Sequence, residues 1–179
     1  MSIKHKHTKI RLTLLLLLVI AAMQPQRVKA QMSSNVNHIN VSAGVLYQRG
    51  LDATVSFEHK TKYHNAWEFF VSGYIKWEKD AETGKVTHDS FFHSYCTYNA
   101  GITYKPCVIR GRNHHGNLRI GASVGSDTED VIGIGHIGYE HTYALYSGWE
   151  VFWQLREDIT IGGKDLLRTG VALGVKIPI

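Results

Sequence analysis

A chain of 179 residues with 44% hydrophobic content, 17 glycines and three prolines is sized for one packed, turn-rich domain. Its formal charge of +5 is misleading, because six basic residues (Lys4, Lys6, Lys9, Arg11, Arg27 and Lys29) lie in the first 30 positions with no acid among them. Residues 31–179 carry 14 basic against 15 acidic side chains, so bulk charge gives no reason to expect nucleic-acid binding.

Residues 1–30 read as a secretory signal peptide. Basic residues precede an apolar core, LTLLLLLVIAAM (12–23), too short for an ordinary membrane span, and Val28-Lys29-Ala30 is a small-x-small cleavage site. Cleavage near Ala30 leaves residues 31–179 as a single domain, and no cysteine lies near the cut to carry a lipid. Export puts Cys96 and Cys107 in an oxidising compartment, where a bridge is open to them. If both lie along one extended strand, however, residues at roughly 3.3 Å each hold them beyond bridging distance, and unpaired thiols are favoured.

Beyond the leader no long apolar period of 3.6 residues is found, and eight segments alternate in character instead. In chain order they are INVSAGVLYQ (39–48), LDATVSFEHK (51–60), AWEFFVSGYIKW (66–77), FFHSYCTYNAGITY (91–104), NLRIGASVGS (117–126), VIGIGHIGYEHTY (131–143), WEVFWQLREDIT (149–160) and LRTGVALGVKIP (167–178). Turn signals such as Arg49-Gly50, His64-Asn65, Ser147-Gly148 and Gly162-Gly163 separate them. Short connections make antiparallel neighbours, and a meander must close or leave two edges open. The predicted fold is therefore all-β, an eight-stranded antiparallel up-and-down β-barrel.

Two closed designs compete, each the inside-out version of the other. A soluble, lipocalin-like barrel turns its apolar face inward around a ligand; an outer-membrane barrel turns it outward into lipid and fills its lumen with polar side chains. One face here offers Val41, Val45, Val55, Phe57, Phe69, Val71, Ile102, Ile120, Val124 and Leu155. The other mixes Asp52, Thr54, Ser56, Ser72, Lys76, Ser123 and Gln154 with glycines at 44, 121, 125, 170 and 174. It also carries Glu58, Glu68, Arg119, Glu150, Arg156 and Arg168, the predicted lumen charge network. Inward-facing glycines make room for long ions that pair across an eight-stranded lumen, whereas on a wetted surface they would weaken the sheet for no gain. The outer-membrane version explains both features.

Spacing agrees with that version. Trp67 and Trp77 share a face ten residues apart, about 33 Å along the strand and roughly 25 Å along the membrane normal at a tilt near 40°. With Trp149 and Trp153 they form the predicted aromatic girdle. The sixth segment breaks parity between Ile134 and Ile137, which a bulge near Gly135-His136 would explain. With a periplasmic N-terminus, the third connection (78–90) is the longest external loop and the fourth, KPCVIRGRNHHGN (105–117), is a periplasmic loop. Lys105, Arg110, Arg112, His114 and His115 make that loop a basic interaction candidate for a periplasmic partner, an anionic head group or a passing DNA strand, beside the plainer reading of a solvated turn.

Nothing in the residues gives specific warrant for catalysis, a metal or a cofactor. His114-His115 has no nearby Cys, Asp or Glu to complete a ligand set. His93, Ser94, His136, Glu140 and His141 supply the residue types of a lipid-ester hydrolase, but spacing alone cannot assemble a triad. Two alternatives to a structural barrel thus stay open: a lipid-modifying barrel enzyme and a soluble periplasmic binding protein.

The first segment INVSAGVL and the ending EHTYALYSGWEVFWQLREDITIGGKDLLRTGVALGVKIPI, behind a signal peptide, resemble the TraO-type conjugal transfer proteins of bacterial conjugative transposons. That resemblance implies a non-catalytic outer-membrane component of a DNA-transfer apparatus, surrounded by outer-membrane lipid and by other conjugation proteins, with no specific nucleic-acid binding of its own. It brings no active site with it. The chain departs from the usual barrel pattern in closing on Pro178-Ile179 rather than on an aromatic residue.

Overall fold

The computed structural model describes residues 36–47, 49–77, 84–87, 95–127, 129–163 and 165–179. The predicted signal peptide lies outside these residues, as do most of the predicted third connection and the start of the fourth segment, 91–94. Among these residues nine strands are formed: β1 (Asn37–Leu46), β2 (Gly50–Lys60), β3 (Ala66–Lys76), β4 (Cys96–Lys105), β5 (Cys107–Arg110), β6 (His114–Ser126), β7 (Val131–Ala144), β8 (Glu150–Ile161) and β9 (Leu167–Pro178). All pairings are antiparallel, in the order β4-β3-β2-β1-β9-β8-β7-β6-β5, and a further pairing of β4 with β6 closes the sheet.

β4 and β5 are two halves of one barrel stave. Pro106 separates them, since proline has no N–H to give a ladder, and both halves pair with β6. Counted this way, the fold is a closed eight-stranded antiparallel β-barrel.

The barrel is polar inside and apolar outside. Along β1, His38, Asn40 and Ser42 are buried while Ile39, Val41 and Val45 are exposed; β2 repeats this with Asp52, Thr54, Ser56 and Glu58 inside and Val55 and Phe57 outside. Val71 is 62% exposed and Leu173 68%, whereas Glu58 and Glu140 are 0% exposed. An apolar core of the soluble kind is therefore absent from the described residues, and the outward band suits a hydrocarbon solvent.

Two predictions about the chain path are corrected. The ladders of β7 to β6 and to β8 run without a register shift, so no bulge lies at Gly135-His136. Parity is kept because Ile132 and Ile134 point inward, both buried, while Ile137 points out. Apolar side chains thus plug the lumen toward one end, and the strand needed no extra residue to keep His136 out of lipid. The fourth connection is likewise not a loop of thirteen residues: Lys105, Cys107–Arg110 and His114–Asn117 are strand, and a tight turn remains, closed by Gly111 N–H donating to His114 O at 2.8 Å. Cys96 and Cys107 lie on the same stave and form no disulfide.

One inward glycine shows why the small residues sit there. A Cβ at Gly174 would lie 2.5 Å from Phe152 Cζ and 2.6 Å from Val41 O, so the aromatic ring occupies the space that the glycine leaves. Gly174→Val is expected to destabilise the barrel by about 1–3 kcal/mol through overpacking, read as a lower urea midpoint for refolding into detergent micelles.

Candidate functional site

The centre of the lumen holds three carboxylates and three cations in mutual contact. Lys105 Nζ lies 2.6 Å from Glu58 Oε2, 3.1 Å from Glu68 Oε2 and 2.8 Å from Glu140 Oε2. Lys176 Nζ bridges Glu58 at 2.9 Å and Glu140 at 2.7 Å, and Arg119 spans Glu68 and Glu140, both at 2.7 Å. Ser56 Oγ donates to Glu68 at 2.6 Å, and Asn40 Nδ2 reaches Glu58 at 3.3 Å and Glu68 at 3.4 Å. The formal charges cancel, and each buried ion meets at least two of opposite sign, the condition under which buried ions are tolerated.

Of the six ions predicted for the lumen, the structure brings Glu58, Glu68 and Arg119 into this cluster and sets the other three apart. Glu150 pairs with Lys60 at 2.5 Å near the end where β1 begins. Arg156 sits between Asp52 at 2.9 Å and Asp158 at 3.3 Å. Arg168 donates to Thr97 Oγ1 at 3.1 Å and lies over the Tyr74 ring at 4.4 Å. Glu140 and Lys176, central to the cluster, are missing from the predicted set. Their inward parity is readable, but nothing in the sequence shows which strands face each other across a lumen.

Lys105 needs the sharpest correction. The predicted basic loop includes it because its neighbours Arg110, Arg112, His114 and His115 are cationic or polar, yet it is 1% exposed and ends β4 inside the lumen. The other four also divide. His115 is buried and stacks on His64 at 4.8 Å, His114 stacks on His141 at 5.1 Å, and only Arg110 and Arg112 are exposed. Alternation along a strand sends neighbours to opposite faces, which a loop would not.

The tryptophans lie at both ends. Trp67 (43% exposed, 4.8 Å from Tyr104), Trp149 (44% exposed) and Trp153, stacked on His141 at 5.8 Å, are placed toward the end where β1 begins. Trp77 follows β3 at the opposite end.

Nearer that opposite end, His136 joins two strands' side chains. Its Nε2 is 2.7 Å from Ser123 Oγ and its Nδ1 is 2.7 Å from Asp158 Oδ1. Beside it is a cavity of about 20 Å³ lined by Thr54, Phe70, Arg119 and Arg156 among others. Of the predicted hydrolase set, Glu140 is committed to the charge cluster, His141 lies on the outward face, and His93 and Ser94 fall outside the described residues. Among the described residues no group of three or more His, Cys, Asp or Glu converges as a metal site would.

Among the described residues three turns close the end where β1 begins, the β5–β6 turn being one of them. Thr61–Asn65 and Leu145–Trp149 share one geometry: an extended first residue, a three-residue 3₁₀ turn and a 2.7 Å bond from the first N–H to the last carbonyl. Each needs two consecutive residues in the left-handed region: Ser147 (φ 62°) and Gly148 (φ 82°) in one, Tyr63 (φ 64°) and His64 (φ 62°) in the other. For bulky side chains that conformation is strained. Contacts with the β5–β6 hairpin hold it: Asn117 Nδ2 donates to His64 O at 2.8 Å, Cys107 N–H to Asn65 Oδ1 at 2.9 Å, and Arg110 lies 5.2 Å over the Tyr63 ring.

No family model matches this chain, and no curated protein matches it. Among solved structures, a de novo designed transmembrane β-barrel aligns with a TM-score of 0.52 at 10% identity, over 84% of this chain and all of its own. A major outer membrane protein from Thermus thermophilus aligns with a TM-score of 0.52 at 10% identity, over 82% of this chain and all of its own. At that identity the likeness is one of fold, and the fold is that of outer-membrane β-barrels.

Proposed function

We propose that the protein is a non-catalytic component of a conjugative DNA-transfer apparatus, seated in the outer membrane of a Gram-negative bacterium after loss of its leader. The observation that carries the structural part is the lumen. It is packed by a charge-balanced cluster whose members Glu58, Glu140, Lys105 and Lys176 are at most 1% exposed in their side chains, an arrangement that suits an anchor or scaffold better than a conduit. The conjugative part rests on the resemblance of the segment from Glu140 to Ile179 to TraO-type proteins. Its partners are outer-membrane lipid around the apolar band and other proteins of the apparatus, and the near-neutral chain beyond the leader argues against specific nucleic-acid binding. A mating assay tests the reading. Deletion is expected to lower transfer frequency, with recovery on expression in trans; unchanged transfer from a strain shown to express the protein normally before deletion would overturn it.

A second reading, an enzyme acting on lipid esters, is favoured by the Ser123–His136–Asp158 relay, whose connectivity is that of a nucleophile, a general base and an orienting carboxylate. It ranks second because Ser123 is buried and the adjoining cavity, about 20 Å³, has room for roughly one water molecule. A fluorophosphonate probe separates the two readings. Labelling of the folded barrel that disappears in Ser123→Ala would establish the enzyme; an unlabelled wild type removes it.

A further inference from the structure

We infer that the β5–β6 hairpin and the Thr61–Asn65 turn form a docking surface for an acidic segment of a partner protein. The inference deepens the proposed role by naming the partner's chemistry, and it rests on reading the barrel as an interaction component.

The hairpin stands beyond the end of β3, while its β6 half stays paired with β7 as far as His114 and Tyr143. β3 begins at Ala66, paired with Lys105, so Pro106–Arg110 continue past it by about 15 Å at roughly 3 Å per residue. Among the described residues no strand pairs with β5 on that side, where Asn65 Oδ1 accepts from Cys107 N–H at 2.9 Å, and Val108 and Ile109 are 53% and 44% exposed.

Charge points to the partner. Lys62, Arg110 and Arg112 are exposed at this end, while the carboxylates of the same half are committed: Glu58, Glu68 and Glu140 to the central cluster and Glu150 to Lys60. Among the described residues the surface is cationic without a compensating acid.

Strain supplies an independent observation. The companion turn closes with Ser147 and Gly148, so this geometry does not require an aromatic residue, yet Tyr63 is held at φ 64° with 67% of its surface exposed. Arg110 over its ring fixes both side chains in one presentation. Tyrosine and arginine, preorganised beside exposed aliphatics, are the composition of an interface anchor. Anionic lipid could neutralise the cations but leaves the preorganised Tyr63–Arg110 pair without a partner, and for that reason a polypeptide is the occupant assigned.

The test uses the purified barrel in neutral detergent and a labelled twelve-residue peptide alternating glutamate with leucine, read by fluorescence anisotropy. The peptide is expected to bind, and to bind at least roughly tenfold more weakly to R110E/R112E. Tyr63→Gly relieves the strained φ, so its melting temperature is expected to hold or rise while affinity falls severalfold. Equal binding of the same peptide with lysine for glutamate, or binding untouched by these variants, overturns the inference. So does an absence of peptide binding when vesicles containing phosphatidylglycerol bind the wild type and not R110E/R112E. Peptide binding by a barrel whose deletion leaves mating unchanged would keep the docking surface and remove the conjugative role; a mating defect without peptide binding would do the reverse.

Discussion

Replacing Glu140 by alanine is expected to cost about 3–5 kcal/mol of stability and to abolish the heat-modifiable band on an unboiled gel, because it strands buried cations. Lys105, Lys176 and Arg119 all contact this carboxylate at 2.7–2.8 Å, and its side chain is 0% exposed. Lys105 and Arg119 would keep Glu68, and Lys176 would keep Glu58, but three cations would then face two carboxylates without solvent to make up the difference. The double variant Glu140→Met with Lys176→Met removes one charge of each sign and should lose less than the two single changes added together. Strict additivity in urea unfolding would show that the six ions do not act as one network.

An arginine at position 71 attacks the other face of the same wall. Val71 sits at the middle of β3 and is 62% exposed, on the side that the structure turns away from the lumen. In a bilayer the change should cost about 2–4 kcal/mol and depress folding into lipid vesicles, since an arginine near the midplane must shed its water. In aqueous detergent-free buffer a soluble barrel would tolerate the same change, so wild-type yield of soluble Val71→Arg would refute the outward-facing membrane surface.

Both predictions follow from alternation, and alternation was legible. The period of two placed Glu58, Glu68, Arg119, Glu150, Arg156 and Arg168 on one side of their strands and Val41, Val71 and Leu155 on the other, and the structure keeps those sides. Inward glycines were legible as a demand for space, but the space at Gly174 is taken by the Phe152 ring rather than by a long ion. What misled was composition read locally. The cations of residues 105–117 suggested one solvated loop, whereas strand parity buries Lys105 and His115, and Arg110, the partner of His115, is exposed because it ends β5. The slip between Ile134 and Ile137 suggested a bulge, because a polar lumen leaves no evident place for an inward isoleucine; Ile132 and Ile134 fill the narrow lumen with bulk that polar residues there would not supply.

By itself, then, the sequence determined the number of staves, most of their extents and the face that most side chains take, because these depend on spacing along the chain and on turn chemistry between strands. Only closure of the barrel decided which residues meet. Glu58, Glu140 and Lys176 lie on β2, β7 and β9, and Lys176 reaches a glutamate 118 positions away. Ser123, His136 and Asp158 became a relay in the same way, through the shared register of β6, β7 and β8. Cross-lumen contacts depend on strand tilt and stagger around a closed wall, quantities that no local pattern encodes.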